Sequence, residues 1–195
     1  LLYHVERMNE ESANALLKVM EEPPEGVLFL LTADSLAGVL PTIRSRCVSF
    51  AVAPVSPADC ARYCAAQGVD PKDAALYSEL FDGHIGTVLT AARDDVRREQ
   101  VEKALTLAKA AASQDSYAAA VLLSAYEKDK AGAVALLRDF RAVAAAGLRQ
   151  SPRSPLQGDA ARKALGAADA AIQRIRAQVN PKIVLSVLAA KFRSF

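Results

Sequence analysis

The chain has 195 residues, a formal net charge of +2, 52% hydrophobic residues, three Cys and no Trp. With 9 Gly and 9 Pro, that composition excludes collagen-like, disordered and disulfide-scaffold proteins, and the balanced charge does not mark a nucleic-acid coat or a polybasic membrane binder. Forty residues are alanine, the strongest intrinsic helix former, so a mainly helical chain with a small-residue core is expected, as one large domain or two small ones.

The three cysteines, Cys47, Cys60 and Cys64, are too few and too odd in number for a secreted framework, which points to a reducing, cytoplasmic setting. The longest apolar run falls far short of the ~20 residues that span a bilayer. No signal-peptide pattern is present, and the start at Leu1 inside an apolar run reads as a piece of something longer.

Leu1–Val5 has the pattern of a strand end. Asn9 then caps a helix through Met20, with Ala13, Leu16, Leu17 and Met20 on one stripe, and Pro23-Pro24 stops it. Val27–Leu31 is a continuous apolar run of strand length, as in a parallel strand covered on both faces. Residues 33–41 predict a loop with a short helical turn. Val48, Phe50 and Val52 alternate with Cys47, Ser49 and Ala51, which predicts another strand. Residues 1–52 therefore read as part of an α/β domain.

Pro54-Val55-Ser56-Pro57 marks a boundary, after which no strand is expected. Residues 57–67, 72–81 and 85–92 predict three short helices, with Gly68 and Gly83 just past the ends of the first two. From Asp94 the helices lengthen. Val101, Ala104, Leu105 and Ala108 recur at helical spacing. So do Leu136, Leu137, Phe140, Ala144 and Leu148, and then Ala161, Ala164, Leu165, Ala168, Ile172 and Ile175. Ser151–Pro155 is a loop. Asn180-Pro181 opens a last helix with Val184, Val187, Leu188 and Phe192 on one face. This tail predicts a helical bundle with small-residue seams.

Little of the sequence carries chemistry. No Gly-rich phosphate loop is present, and Gly83-His84-Ile85-Gly86 reads as a helix cap followed by a helix start. Cys60 and Cys64 share a helix face and read as buried apolar thiols. A metal would need further ligands, and nothing in the spacing brings Cys47, His4 or His84 to them. Glu21 and Glu22 point apart on a helix and read as a solvated helix end, not as an acid–base pair. Arg44-Ser45-Arg46 places two guanidinium groups where a loop meets a strand. They are either a surface basic pair or readers of a phosphate or carboxylate.

The run Ser12-Ala13-Asn14-Ala15-Leu16-Leu17-Lys18-Val19-Met20-Glu21-Glu22-Pro23-Pro24 resembles the signature helix of bacterial clamp-loader AAA+ subunits. Ser45-Arg46-Cys47, after Leu40-Pro41-Thr42-Ile43-Arg44, resembles the SRC motif of the same family. Both occur in the family's order, with an apolar run between. The resemblance implies a mainly α chain in three parts. These are a truncated α/β AAA+ core with few parallel strands at 1–52, a three-helix lid at 53–93 and a helical collar for oligomerisation at 94–195.

Departures from the active subunits indicate the branch. Tyr3 and His4 stand where an ATPase subunit carries the acidic pair that holds Mg²⁺ and orients water. Gly86 stands where such a subunit has a phosphate-sensing Arg, and Leu31-Thr32-Ala33-Asp34 replaces its Ala-Thr-Thr. The chain is thus similar to the delta-prime type, which has no ATP hydrolysis of its own but belongs to a DNA polymerase III holoenzyme. The resemblance implies that Arg46 acts as an arginine finger in trans on ATP bound by a neighbour. Ser45 and Cys47 would shape that loop, with Arg44 as a second contact or a surface charge.

The resemblance further implies that this chain binds no cofactor or metal, with ATP and Mg²⁺ on adjacent subunits. Its partners would be gamma or tau and delta in a hetero-pentamer, which loads the sliding clamp onto primed DNA in the cytoplasm, away from any membrane. The competing expectations are an active gamma/tau-type ATPase subunit and a helical adaptor.

Overall fold

A computed structural model describes residues 1–53 and 55–195; Pro54, in the expected boundary motif, lies outside the described residues. The chain divides into two compact units, Leu1–Ala53 and Pro54–Phe195.

In the first unit, α1 (Glu10–Glu21) starts where the sequence places it. The Asn9 side chain accepts a hydrogen bond from the Ser12 N–H at 2.8 Å, which satisfies one of the unpaired donors of the first turn. Ala13 is buried, and Leu16, Leu17 and Met20 pack half-buried on a small core of Val5, Ala13, Val39 and Ile43. Leu36–Gly38 makes a single 3-10 turn within the expected loop, capped by Ser35. The four-residue α2 (Pro41–Arg44) follows, with Pro41 at its first position.

The expected strands are where the structure departs from the sequence reading. A single parallel bridge joins Leu2 to Leu31. The Leu2 N–H donates to the Leu30 carbonyl at 2.8 Å, and the Thr32 N–H donates to the Leu2 carbonyl at 2.9 Å. Neither Leu1–Val5 nor Val27–Leu31 extends this into a ladder, and Val5 instead begins a 3-10 turn. Residues 48–52 pair with nothing among the described residues, and Val48, Phe50 and Val52 are 82%, 84% and 92% exposed. The physical reason is cooperativity. A strand gains most of its stability from neighbours on both edges and cover on its faces, and a lone pair is marginal in water. The period-2 pattern is real, but within this unit it has no partner.

The second unit is all helix. It runs through α3 (Pro57–Ala66), α4 (Pro71–Leu80), α5 (Ile85–Arg93), α6 (Asp95–Ala112), α7 (Ser116–Ser124), α8 (Lys130–Leu148), α9 (Gly158–Arg176) and α10 (Pro181–Lys191). Acceptor side chains of Ser56, Asp70, Asp94, Asp115, Asp129 and Asn180 cap six of these. Gly68 follows α3 with φ of +86°, the left-handed closure expected of it, whereas after α4 the left-handed residue next to the cap is Asp82, φ 52°, and Gly83 follows it with φ of +74°.

One continuous core runs from Cys60 to Phe192. Ala104, Ala108, Ala133, Ala144, Ala161, Ala164 and Ala168 are all fully buried, so the small-residue seams are observed. α8 lies against α6 and α9, and α7 against α10. The rings of Phe140 and Phe192 stack with centroids 5.7 Å apart. At Gly147 the fit is close. A Cβ there would overlap the Leu156 carbonyl oxygen, while Ser154 Oγ donates to the Val143 carbonyl at 2.8 Å and ties the 151–156 loop onto α8. Leu148 and Val187, expected on core faces, are 45% and 42% exposed, because each lies at the edge of its helix's apolar stripe. No described helix is long and apolar enough to cross a membrane.

Candidate functional site

The two sequence motifs of the first unit meet in space. The turn after α2 is held by its own backbone: the Arg46 N–H donates to the Ile43 carbonyl at 3.1 Å, and the Cys47 N–H to that of Arg44 at 3.4 Å. The Ser45 hydroxyl donates to the Thr42 carbonyl at 3.0 Å. Arg46 then folds its guanidinium over this turn. Nη1 donates to the same Thr42 carbonyl at 3.1 Å and reaches Ser45 Oγ at 3.4 Å, and Nη2 donates to the Glu21 carboxylate at the end of α1. The Arg46 and Glu21 side chains are 38% and 50% exposed, so the pair sits at the surface.

Cys47 is half-buried and packs on the core of Val5, Ala13, Val39 and Ile43. Arg44 is exposed, and its side chain makes no ion pair among the described residues. The sequence places these residues where a loop meets a strand. They instead follow a helical turn and precede extended, unpaired chain.

Glu21 is the residue that sequence reading missed. It reads as a solvated helix end, and it is exposed, yet it is Arg46's carboxylate partner. The available signal was electrostatic. A carboxylate at a helix C-terminus sits among unpaired carbonyls and is disfavoured there unless a cation is near. Arg46 supplies that cation, and it also satisfies the Thr42 carbonyl at the end of α2.

Tyr3 and His4 take no part in that arrangement among the described residues. Tyr3 is 69% exposed, and His4 adopts a left-handed conformation with φ of 55°. His4 Nδ1 is 3.2 Å from Glu6 Oε1 and 3.7 Å from Asp34 Oδ2. One donor atom from each of His4, Glu6 and Asp34 lies within 4.8 Å of the others, the one set among the described residues spaced to hold a metal ion. Arg7 Nε stands 3.7 Å from the same Glu6 oxygen, so a cationic side chain already serves this carboxylate. Burial pushes the Glu6 carboxyl up, but hydrogen bonds from backbone N–H groups and from His4 outweigh it and leave the group below its ordinary value.

In the second unit, Cys60 and Cys64 are fully buried, as expected of apolar thiols. Burial and the neighbouring Cys60 push the Cys64 thiol up to about 11, away from the thiolate that a metal or a nucleophilic reaction needs. Gly83-His84-Ile85-Gly86 is the expected cap and helix start, and Gly86 faces open space in the first turn of α5.

A family described as "DNA polymerase III, delta subunit" matches residues 1–56, which include α1, α2 and the Arg46 turn. This stretch is similar to DNA polymerase III delta' sequences. The chain is 60% identical over 42 residues to "DNA polymerase III subunit delta'" of Haemophilus influenzae, covering 22% of this chain and 13% of that protein. It is 39% identical over 93 residues to the delta' subunit of Pseudomonas aeruginosa, covering 48% of this chain and 28% of that one. It is also 42% identical over 50 residues to "DNA polymerase III subunit gamma" of Buchnera aphidicola, covering 26% and 14%. Each match thus spans less than a third of the relative's own length.

Proposed function

We propose that this chain is part of a non-catalytic, delta'-type clamp-loader subunit of DNA polymerase III, and that Arg46 is presented to a nucleotide on a neighbouring subunit. The observation that carries the reading is the meeting of the two matched motifs, the α1 helix and the Ser45-Arg46-Cys47 turn, around one half-exposed guanidinium. Its planar fork of donors suits phosphate oxygens, and charge developing on a transferring phosphoryl group is what such a donor stabilises. Tyr3 and His4 offer no carboxylate where an ATPase subunit needs two, and Gly86 offers no side chain to a phosphate.

In this reading ATP and Mg²⁺ sit on gamma or tau, delta completes the pentamer, and the assembly loads the sliding clamp onto primed DNA in the cytoplasm. Helices α3–α5 serve as the lid and α6–α10 as the collar. Exposed Tyr117 and Val121 on α7, with Ile183 and Val187 on α10, give the collar an apolar surface to cover in the assembly.

The test uses the full-length protein in the reconstituted complex. Arg46→Ala should leave the ring assembled and lower its DNA- and clamp-stimulated ATP hydrolysis by about tenfold or more, below the full effect of trans-acting fingers in GTPases. Unchanged hydrolysis and clamp loading would remove Arg46 from the mechanism. The gamma-type relative favours a second reading, an ATPase subunit. Tight ATP binding by the isolated full-length protein would select it.

A further inference from the structure

A guanidinium offers five N–H donors, and how many are already committed decides what it can do next. In Arg46, Nη1 is engaged by the Thr42 carbonyl and Ser45 Oγ, and one Nη2 hydrogen by Glu21. Nε and the second Nη2 hydrogen have no acceptor among the described residues. The side chain is therefore held through part of its fork while donors remain open on a group 38% exposed to solvent. The holding groups come from two helix ends. The Thr42 carbonyl is one of the unpaired acceptors of α2, and Glu21 closes α1.

A long, rotamer-rich side chain loses on the order of 2 kcal/mol of conformational freedom when it is fixed. A finger already held before it meets its phosphate has lost part of that freedom in advance, which is the benefit of preorganisation.

We propose that Glu21 is a positioning residue for Arg46, orienting its guanidinium so that the Nε side is free for a phosphate oxygen presented by another subunit. This rests on the reading of Arg46 as a trans-acting finger. Glu21 touches no substrate. It acts through Arg46, and the interaction is that of a half-exposed ion pair, so its effect is modest. Thr42 supplies the second hold through its backbone, which no side-chain substitution removes.

The experiment is a double-mutant cycle in the full-length protein assembled with its ring partners, reading kcat and KM for ATP separately. Glu21→Ala is expected to lower kcat about threefold to fivefold with KM unchanged. Glu21→Gln, which keeps an acceptor oxygen, is expected to recover most of the loss. In an Arg46→Ala background, Glu21→Ala should have no further effect. If Arg46→Ala alone changes nothing, the finger reading fails, and this proposal with it. If Arg46→Ala lowers kcat but Glu21→Ala leaves it unchanged or raises it, the positioning role alone is overturned. An equal loss from Glu21→Ala with or without Arg46 would overturn it as well, because Glu21 would then act on the fold and not on the finger. The total helix content of each variant, read by circular dichroism, accompanies the kinetics as a check on folding.

Discussion

Removing Arg97 should destabilise the second unit by about 3 kcal/mol, because it strands a buried charge. Asp139 on α8 is only 8% exposed in its side chain, and Arg97, in the first turn of α6, is 22% exposed. The pair is bidentate: Arg97 Nη1 donates to Asp139 Oδ2 and Nη2 to Oδ1, the latter at 2.7 Å. The Arg97 Cζ also lies 5.5 Å from the centre of the Phe81 ring, so one side chain ties α4, α6 and α8 together. Hydrogen bonds donated to the Asp139 carboxylate hold the Arg97 guanidinium above its ordinary value.

Breaking a buried pair by deleting one partner costs roughly 3–5 kcal/mol, and the cation over the ring adds about 0.5–1 kcal/mol. The partial exposure of Arg97 admits some water once it is gone, which favours the lower end of that range. At roughly 3 °C per kcal/mol for a unit of this size, Arg97→Ala should lower the melting temperature by about 10 °C. Replacing both residues with Leu should cost far less, about 1 kcal/mol or below, since no charge is then left unpaired. Urea unfolding followed at 222 nm measures both. A loss below about 1 kcal/mol for Arg97→Ala, or a double variant no better than the single one, would refute the reasoning.

Three further outcomes follow from the packing. Gly147→Ala should destabilise the chain by about 2 kcal/mol or more in the same urea assay, because its Cβ would overlap the Leu156 carbonyl oxygen and push the loop off α8. Above pH 9 the unfolded chain ionises Cys64, while the folded chain keeps the thiol protonated up to about 11. The stability from this raised group is therefore complete below the unfolded value and declines as pH rises toward 11, a slope that Cys64→Ala should flatten in urea melts at pH 8, 9.5 and 10.5. Amide exchange should be faster in α1, which buries only Ala13, than in the middle of α8, where Leu136, Leu137, Phe140 and Val143 are buried; equal protection would contradict that.

The helices were legible because their signals are local. Asn9 and Asn180 each cap the helix they were expected to open, and Gly68 closes α3 with positive φ. The alanine seams could be read as well, since a 3.6-residue period survives without knowledge of what packs opposite. The strands were not legible, because a strand is defined by its neighbours. Val48, Phe50 and Val52 carry the alternation, but nothing within the unit pairs with them. The Arg46 site lies between these cases. Its residues and turn could be placed from sequence, but the link to Glu21 spans 25 positions and depends on how α1 and α2 lean together. The Arg97–Asp139 pair, 42 positions apart, was hidden for the same reason.

The two units differ in how much core each one builds. The second has a continuous core with large side chains such as Phe140, Phe192 and Leu107 wholly buried, and its polar groups serve that core: Ser154 ties a loop, Asp139 holds Arg97, and Cys64 stays protonated. The first has four buried hydrophobic residues for 53 positions, while Leu28, Leu30, Val48, Phe50 and Val52 stand in solvent. A unit of that size with so small a core is marginal by its own packing. Its exposed apolar run is the kind of surface that gains stability when it is covered. Arg46 is fixed on the part of this unit that is best held, between two helix ends and beside the buried Ile43, and not on the unpaired chain that follows. That placement suits the finger role proposed for Arg46, in which the donors keep one orientation while the exposed run that follows is covered by another surface.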